Sequence, residues 1–123
     1  MDLAARRAAV VAVVQTAVGA TVPVHDDVPD TIPTDAAVVV RWAGTTAGRD
    51  QWEHTFRVEI IVTTGPDRIT RRDTLTNAVL TALNAEQGLR RPTAEPAEFA
   101  IGQQLYPEQS LVTIIATDDP PNT

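Results

Sequence analysis

The sequence predicts an α+β fold, with a single sheet of four to five mostly antiparallel strands and two helices packed on it. Between Gln51 and Thr64, apolar and polar residues alternate, which is typical of a strand that is covered on one face. From Asp67 to Glu86 the apolar residues, among them Leu75 and Val79, recur at the spacing of an amphipathic helix. A strand that leads into an amphipathic helix is therefore the frame of the predicted fold, and the expected element order is α-β-β-β-α-β-β.

Ahead of this frame the sequence predicts a helix from Asp2 to Val18. Asp2 can accept hydrogen bonds from the first free N–H groups, and Gly19 can close the helix in a left-handed conformation. Residues 21–24 form a short predicted strand. The acidic segment 25–35 is predicted to be an extended loop, because its two prolines fix φ and remove hydrogen-bond donors.

The middle of the chain is predicted to form a hairpin. Ala36 to Ala43 is a valine-rich run typical of a strand, and Gly44 to Asp50 connects it to the next strand. This connection is longer than a tight hairpin needs, so we expect its tip to project from the subunit, where loops often bind partners. Its candidate contact residues are Thr45, Thr46, Arg49 and Asp50.

After the second helix, the sequence predicts a linker and two more strands. Arg90 to Pro96 contains two prolines and is interpreted as the linker. Ala97 to Gln104 and Ser110 to Asp118 are the predicted strands, and Tyr106 to Gln109 is a turn between them. The last strand is apolar on both faces, which is typical of an interior position in a sheet.

Length and composition indicate one small domain. The 123 residues are expected to form a single domain over 1–118, with 119–123 as a flexible tail. A formal net charge of −6 argues against a basic nucleic-acid surface, and the absence of cysteine excludes disulfides and thiolate ligands. Only 4% of the residues are aromatic, so the core must be built from aliphatic side chains. Such a thin core favours association with further copies of the chain.

No residue pattern in the sequence indicates a catalytic centre, a cofactor or a bound metal. His25 and His54 are the only histidines, each beside a carboxylate, and together they could bind zinc or iron. The simpler interpretation is that both are surface histidines beside solvating acids. Gly44 to Gly48 is small and polar but lacks the lysine of a phosphate loop. We therefore expect a protein that is not an enzyme, with a small metal-dependent enzyme as the alternative of a different class.

Two charged segments are candidates for a contact between subunits. Arginines cluster in the first turns of the second helix, where they oppose the helix dipole and need acidic partners. The acidic segment 25–35 is the obvious source of such partners, either in the same subunit or in a neighbouring one. A plain solvated surface is the alternative. The candidate contact joins Asp26, Asp27 and Asp30 with Arg68, Arg71 and Arg72.

The layout of the whole chain resembles a known family. A helix leads to a Val-Pro-Val strand at 22–24 and a proline-rich segment, and a hairpin follows. A strand, a glycine and a helix ending in Ala-Val-Leu-Thr-Ala-Leu-Asn at 78–84 come next, and two strands close the chain. This layout is similar to the tail terminator proteins of long-tailed, siphovirus-type bacteriophages. The resemblance covers nearly the whole chain and rests on pattern and length, with no invariant motif.

The resemblance implies a structural protein of the virion tail that is assembled in the host cytoplasm. Such terminators form a hexameric ring that caps the tail tube at its head-proximal end, stops tube polymerisation and presents a surface for head joining. The implied partners are further copies of the chain, the major tail tube protein and a head-tail connector protein, while DNA passes through the lumen without specific binding. No membrane contact, cofactor or catalytic residue is implied. The alternatives left open are another head-tail connector, a head-closure or minor tail protein, and a regulatory binding module.

Overall fold

Two helices lie on one face of a five-stranded sheet, which confirms the predicted fold class and element order. The computed structural model describes residues 2–118, and the predicted tail at 119–123 lies outside them. The elements are α1 (Leu3–Val18), β1 (Val24–His25), β2 (Ala36–Ala47), β3 (Trp52–Val62), α2 (Arg68–Ala85), β4 (Leu89–Ile101) and β5 (Gln104–Asp118). Strand β1 is shorter and later than the predicted strand at 21–24. The strands are ordered β1-β2-β3-β5-β4 across the sheet, with β1 parallel to β2 and the other neighbours antiparallel.

The larger core lies between the sheet and the two helices, and we call it the helix-side core. The alternation in β3 puts Phe56, Val58 and Ile60 on this face, and all three are fully buried. Val14 of α1 and Val79 of α2 belong to the same cluster. Valine is a poor helix former, so α1 is stabilised mainly by this burial. Neither helix of the described chain has the length and apolar character needed to cross a bilayer.

A second, smaller apolar cluster covers part of the opposite face, and we call it the back layer. Its members come from the acidic segment, from the middle strands and from the end of β4: Ile32, Ala37, Val39, Ile61, Phe99, Ile101 and Leu111. Strands β4 and β2 are separated by two other strands, so the end of the β4–β5 hairpin must reach across the back of the sheet. At its tip Gly102 has a φ of 60°, and a Cβ atom there would clash with the carbonyl oxygen of Asp30. The hairpin tip therefore lies against the acidic segment.

The hairpin between β2 and β3 is tighter than predicted. The predicted loop was Gly44 to Asp50, but residues 45–47 pair with the start of β3, so β2 continues to Ala47. The turn is confined to residues 48–51. Gly44, with a φ of 139°, lies at a shift in the register of β2 against β3. This bulge lets the strand continue where the sequence predicts a loop.

The predicted linker from Arg90 to Pro96 is wrong, because these residues are part of β4. Strand β4 is at an edge of the sheet, where a proline can turn its missing N–H away from the ladder. The register of β4 against β5 shifts between Arg90 and Thr93, and Arg91 between them has a φ of 57°. The prolines that suggest a linker are thus features of a bulged edge strand.

The predicted turn at Tyr106 to Gln109 is also wrong, because these residues lie in β5 and the chain turns at residues 102–103. Gln109 is buried, and its side chain bonds the main chain of β3. Its Oε1 accepts from the Val62 N–H at 2.8 Å and its Nε2 donates to the Val62 carbonyl oxygen at 3.1 Å. The Gln109 amide therefore extends the pairing of β3 with β5 beyond its last main-chain pair, at Ser110.

Candidate assembly interface

The arginines at the start of α2 are held within their own subunit. Arg68 pairs with the carboxylate of Glu108 at 2.8 Å. Arg72 donates to the Glu108 carbonyl oxygen at 3.0 Å and pairs with Asp73. The acidic partners that the helix start needs are therefore on β5 and on α2 itself, and a contact with segment 25–35 stays a prediction for a neighbouring subunit. Sequence reasoning missed Glu108 because it assigned that stretch to a turn.

Asp26 and Asp27 line an open groove at the edge of β2, which we call the edge groove. Both carboxylates belong to exposed residues, and two apolar neighbours, Val28 at 39% and Trp42 at 46%, are exposed as well. Aromatic side chains are enriched in protein interfaces, so the groove is a candidate contact surface. It has a volume of about 520 Å³ and is lined by Arg7, Asp26, Asp27, Val28, Val40, Arg41 and Trp42.

The third predicted acidic residue, Asp30, does not line this groove. Its carbonyl oxygen lies against Gly102, at the tip of the hairpin that crosses the back of the sheet. The third predicted arginine, Arg71, is partly buried and forms no ion pair within residues 2–118. The structure therefore brings Asp26 and Asp27 together and places Asp30 apart from them.

The two edges of the sheet differ in how well they could pair with a further strand. Strand β1 covers only Val38 and Val39 of β2, so the outer edge of β2 from Val40 to Ala47 faces no other strand of the described chain. The β4 edge carries Pro92 and Pro96, which have no N–H to offer to a further strand. The edge beside the groove is thus the more open one.

The predicted tube-contact residues fall in two settings. Arg49 and Asp50 are exposed in the turn between β2 and β3. Thr45 and Thr46 belong to β2 instead, and the Thr45 hydroxyl lies 2.8 Å from Nδ1 of His54 in the interior. Thr46 pairs with β3 and is exposed. Of this set, Thr45 is the residue that the structure turns inward.

His54 is fully buried, so its interpretation as a surface histidine is wrong. Its Nδ1 contacts the Thr45 hydroxyl, and its Nε2 lies 3.4 Å from Oδ2 of Asp118. The Thr45 hydroxyl also accepts from the indole N–H of Trp42 at 3.0 Å. A hydroxyl, an imidazole and a carboxylate in line resemble a nucleophilic triad. Here the imidazole has no exposed surface, and the hydroxyl is already bonded to the indole of Trp42. The three groups therefore link strands β2, β3 and β5 and have a structural role.

Asp118 connects the Thr45–His54 pair to the start of α1. Its carboxylate accepts from the N–H of Asp2, and Asp2 in turn caps α1 by accepting from the Ala5 N–H at 3.0 Å, as predicted. The Asp2 N–H is the main influence that holds the pKa of Asp118 below its usual value. The hydrogen bond from His54 adds to this shift, and burial opposes it.

The two histidines do not share a site. His25 lies on β1 opposite Val39, whereas His54 lies opposite Thr45, six residues further along β2. At the rise of a β-strand this places them roughly 20 Å apart. Within residues 2–118, no three His, Asp or Glu side chains are grouped as a metal site requires. The metal site that the sequence left open has no support in the structure.

Glu59 is a buried carboxylate on the back of the sheet that sequence reasoning missed. Its side chain is 4% exposed and lies 3.0 Å from Nε of Arg41, while its Oε1 has no hydrogen-bond partner. Burial raises the pKa of Glu59, and the charges of Arg41 and, to a smaller extent, Arg57 oppose this shift. Its cross-strand neighbour is Leu111 of the back layer. The residues that cover this face of the sheet come from segments far apart in the sequence, so no local pattern predicts that Glu59 is buried.

Comparison with known proteins finds a likeness in structure and none in sequence. No family model and no curated protein matches the chain. The fold is similar to the sheath/tube terminator of the PVC extracellular contractile injection system, determined by cryo-electron microscopy in the extended state. The TM-score is 0.58 at 13% identity, over 95% of this chain and 56% of that chain. The chain has a terminator-like fold. It spans little more than half the length of that terminator.

In this terminator-like fold, three exposed places carry charged side chains that could bind a partner. These are the edge groove, the turn between β2 and β3, and the bulged edge of β4. The buried polar side chains of His54 and Gln109 instead bond to neighbouring strands. The arrangement suits binding to large partners by surface contact.

Proposed function

We propose that this protein is a tail terminator, a structural and non-enzymatic protein whose copies form a ring that caps a tail tube. The observation that carries the proposal is the similarity of fold to a sheath/tube terminator over 95% of the chain. The resemblance of the sequence layout to phage tail terminators supports the same role. A cap must bind the last tube subunits and must present no binding surface to further tube subunits. This task requires broad contact surfaces and no reactive centre.

The proposed ring is hexameric and lies at the head-proximal end of a phage tail, where its outer face binds a head-tail connector protein. The chain carries a formal net charge of −6, so DNA passing through the ring would be repelled by its wall and would not adhere to it. Arg49 and Asp50, exposed at the turn between β2 and β3, are the proposed contacts with the tube protein.

Capping is measured in a tube assembly reaction. The purified chain is added to polymerising tube protein from the same tail, and the tubes are examined by negative-stain microscopy. We expect tubes of limited length with a ring at one end, and shorter tubes as the proportion of terminator rises. Tubes that grow without limit and keep bare ends at every ratio would refute the proposal. Rings that bind isolated head-tail connectors but never tubes would identify a head-closure protein instead.

A charge exchange at the turn tests the tube contact itself. Arg49→Asp combined with Asp50→Arg keeps the net charge and changes only exposed side chains. We expect the variant to lose capping while its ring assembly and thermal stability are unchanged, because surface substitutions rarely alter stability. Capping at the level of the native chain would place the tube contact elsewhere on the ring.

A further inference from the structure

The strand order puts the edge groove and the bulge of β4 on opposite sides of the subunit. Strands β1 and β2 form one edge of the sheet, and β4 forms the other. In a closed ring, each subunit presents different surfaces to its two neighbours, and these surfaces lie on opposite sides. The two edges are therefore placed to meet in the ring proposed above.

Arg91 has the most unusual backbone conformation on the β4 edge. Its φ of 57° is in the left-handed region that residues other than glycine rarely adopt, and it lies where the register shifts between Arg90 and Thr93. A bulge re-aims the side chain it carries, and Arg91 is exposed. Backbone strain of this kind persists where surrounding structure holds it, often at functional sites. Within residues 2–118, Arg90 pairs with Glu53 whereas Arg91 has no ion-pair partner.

The edge groove has the chemistry that binds a guanidinium group. Asp26 and Asp27 form no ion pair within the described chain. The exposed indole of Trp42 offers a face on which a guanidinium can stack. Of the two arginines that line the groove, Arg41 is paired with the buried carboxylate of Glu59. With Arg41 paired to Glu59, which does not line the groove, the carboxylates of Asp26 and Asp27 face one remaining guanidinium group, that of Arg7, so the groove has room for one further positive charge.

We propose that Arg91 of one copy inserts into the edge groove of the next copy, between the two carboxylates and the indole of Trp42, and that this contact closes the ring. The inference rests on the proposed function, because the ring supplies the head-to-tail arrangement. It differs from the contact that the sequence predicts, since Arg68 and Arg72 are already bound to β5. The two prolines of β4 lack N–H groups, so this edge meets its neighbour through side chains and not as a continuous sheet.

Disulfide trapping tests the contact directly, because the chain has no cysteine of its own. We expect the double variant Asp27→Cys, Arg91→Cys to give, on mild oxidation, a ladder of covalent oligomers that ends at the closed ring. The matched control is Asp27→Cys, Arg49→Cys, whose thiols are also at exposed positions. The control should stop at dimers formed by chance collision. Equal ladders in the two variants, or no ladder in the first, would overturn the inference.

Charge reversal measures how much the contact contributes to assembly. Arg91→Glu should raise the concentration of half-maximal ring assembly about tenfold or more, because it replaces an attraction by a repulsion across the interface. Adding Asp27→Arg to this variant should recover assembly, as expected for groups in direct contact. Arg71→Glu makes the same change of charge on α2 and should alter assembly less than about twofold. Loss of assembly with Arg71→Glu but not with Arg91→Glu would overturn the inference in favour of the contact predicted from sequence.

Failure of this inference and failure of the proposed function give different results. Rings that cap tubes but assemble equally well with Arg91→Glu would overturn the inference and leave the terminator function intact. A ladder trapped through Asp27→Cys and Arg91→Cys, from a chain that never caps tubes, would support the contact and reject the function.

Discussion

The helix-side core and the back layer cover opposite faces of the same strands, but they do so in different ways. On the helix side, α1 and α2 cover the sheet, and the cluster contains 17 buried residues. On the back, the acidic segment and the hairpin end supply a cluster of seven, and Arg57 beyond it is exposed. The larger helix-side core therefore holds the domain together. The back layer instead positions two surface segments, one of which carries the edge groove.

Two buried titratable side chains on opposite faces, His54 and Glu59, differ in how fully they are paired. On the helix side, both ring nitrogens of His54 have partners, in Thr45 and Asp118. On the back, Glu59 is just as enclosed, yet one of its oxygens has no hydrogen-bond partner. An unpaired buried oxygen costs about 1–3 kcal/mol of stability. His54 is thus paired at both nitrogens on the helix side, whereas Glu59 keeps one unpaired oxygen on the back.

The largest expected effect on stability comes from truncating one phenylalanine in each layer. Phe56→Ala should lower the free energy of unfolding by about 3–5 kcal/mol, because a fully buried ring leaves a cavity in the helix-side core. Phe99→Ala removes an equally large ring from the smaller cluster, whose edge can relax into the space, so it should cost less. Urea unfolding monitored by circular dichroism measures both. An equal or larger loss with Phe99→Ala would contradict the division between the two layers.

A smaller effect is expected where the back layer holds the acidic segment. Ile32→Ala should lower the free energy of unfolding by about 2 kcal/mol, since Ile32 lies at the edge of its cluster. The main result should be faster amide hydrogen exchange around Asp26 and Asp27, because the segment loses its anchor. Thr31→Ala is the matched control, since Thr31 is the exposed neighbour and its change should alter stability by less than about 0.5 kcal/mol. Unchanged exchange in Ile32→Ala would show that the groove is held by other contacts.

The same division explains which features the sequence predicts. The helix-side core follows from local periodicity, so the alternation in β3, the stripe on α2 and the cap at Asp2 are all confirmed. The back layer depends on a hairpin end that reaches across two other strands, and no local pattern encodes such a contact. The burial of Glu59 is missed for that reason.

Two further errors have local physical causes. The bulge at Gly44 changes the parity of β2, so Thr45 faces the interior and contacts His54 although a loop is predicted there. The prolines of β4 resemble a linker because proline is excluded from central strands but tolerated at an edge. Edge position is a property of the whole sheet, so the sequence around Arg91 could not reveal it.

The smallest expected effect is a change in the pH dependence of stability. The pKa of Glu59 is raised by burial, so the folded state holds its proton more tightly than the unfolded state does. Its contribution to stability is therefore fully present below its unfolded pKa, near 4.5, and is lost as the pH rises through the folded pKa. Glu59→Gln removes this titration. We expect the melting temperature of the variant to rise relative to the native chain as the pH rises from about 4.5, the unfolded pKa, through the folded pKa of Glu59.

Asp118→Asn is the matched control, because the pKa of Asp118 is shifted the opposite way. Its lowered pKa means that its contribution is present above its unfolded pKa, near 3.8, and is lost as the pH falls through the folded pKa. The melting temperature of Asp118→Asn should therefore lie below that of the native chain at neutral pH, and the gap should narrow on acidification. The melting-temperature differences of the two variants would then change with pH in opposite directions. Glu59 is buried without full pairing, whereas Asp118 accepts a hydrogen bond from the Asp2 N–H. The melting temperature of Glu59→Gln relative to the native chain could instead stay constant or fall as the pH rises. That result would show that the charge of Arg41 fully compensates the burial of Glu59.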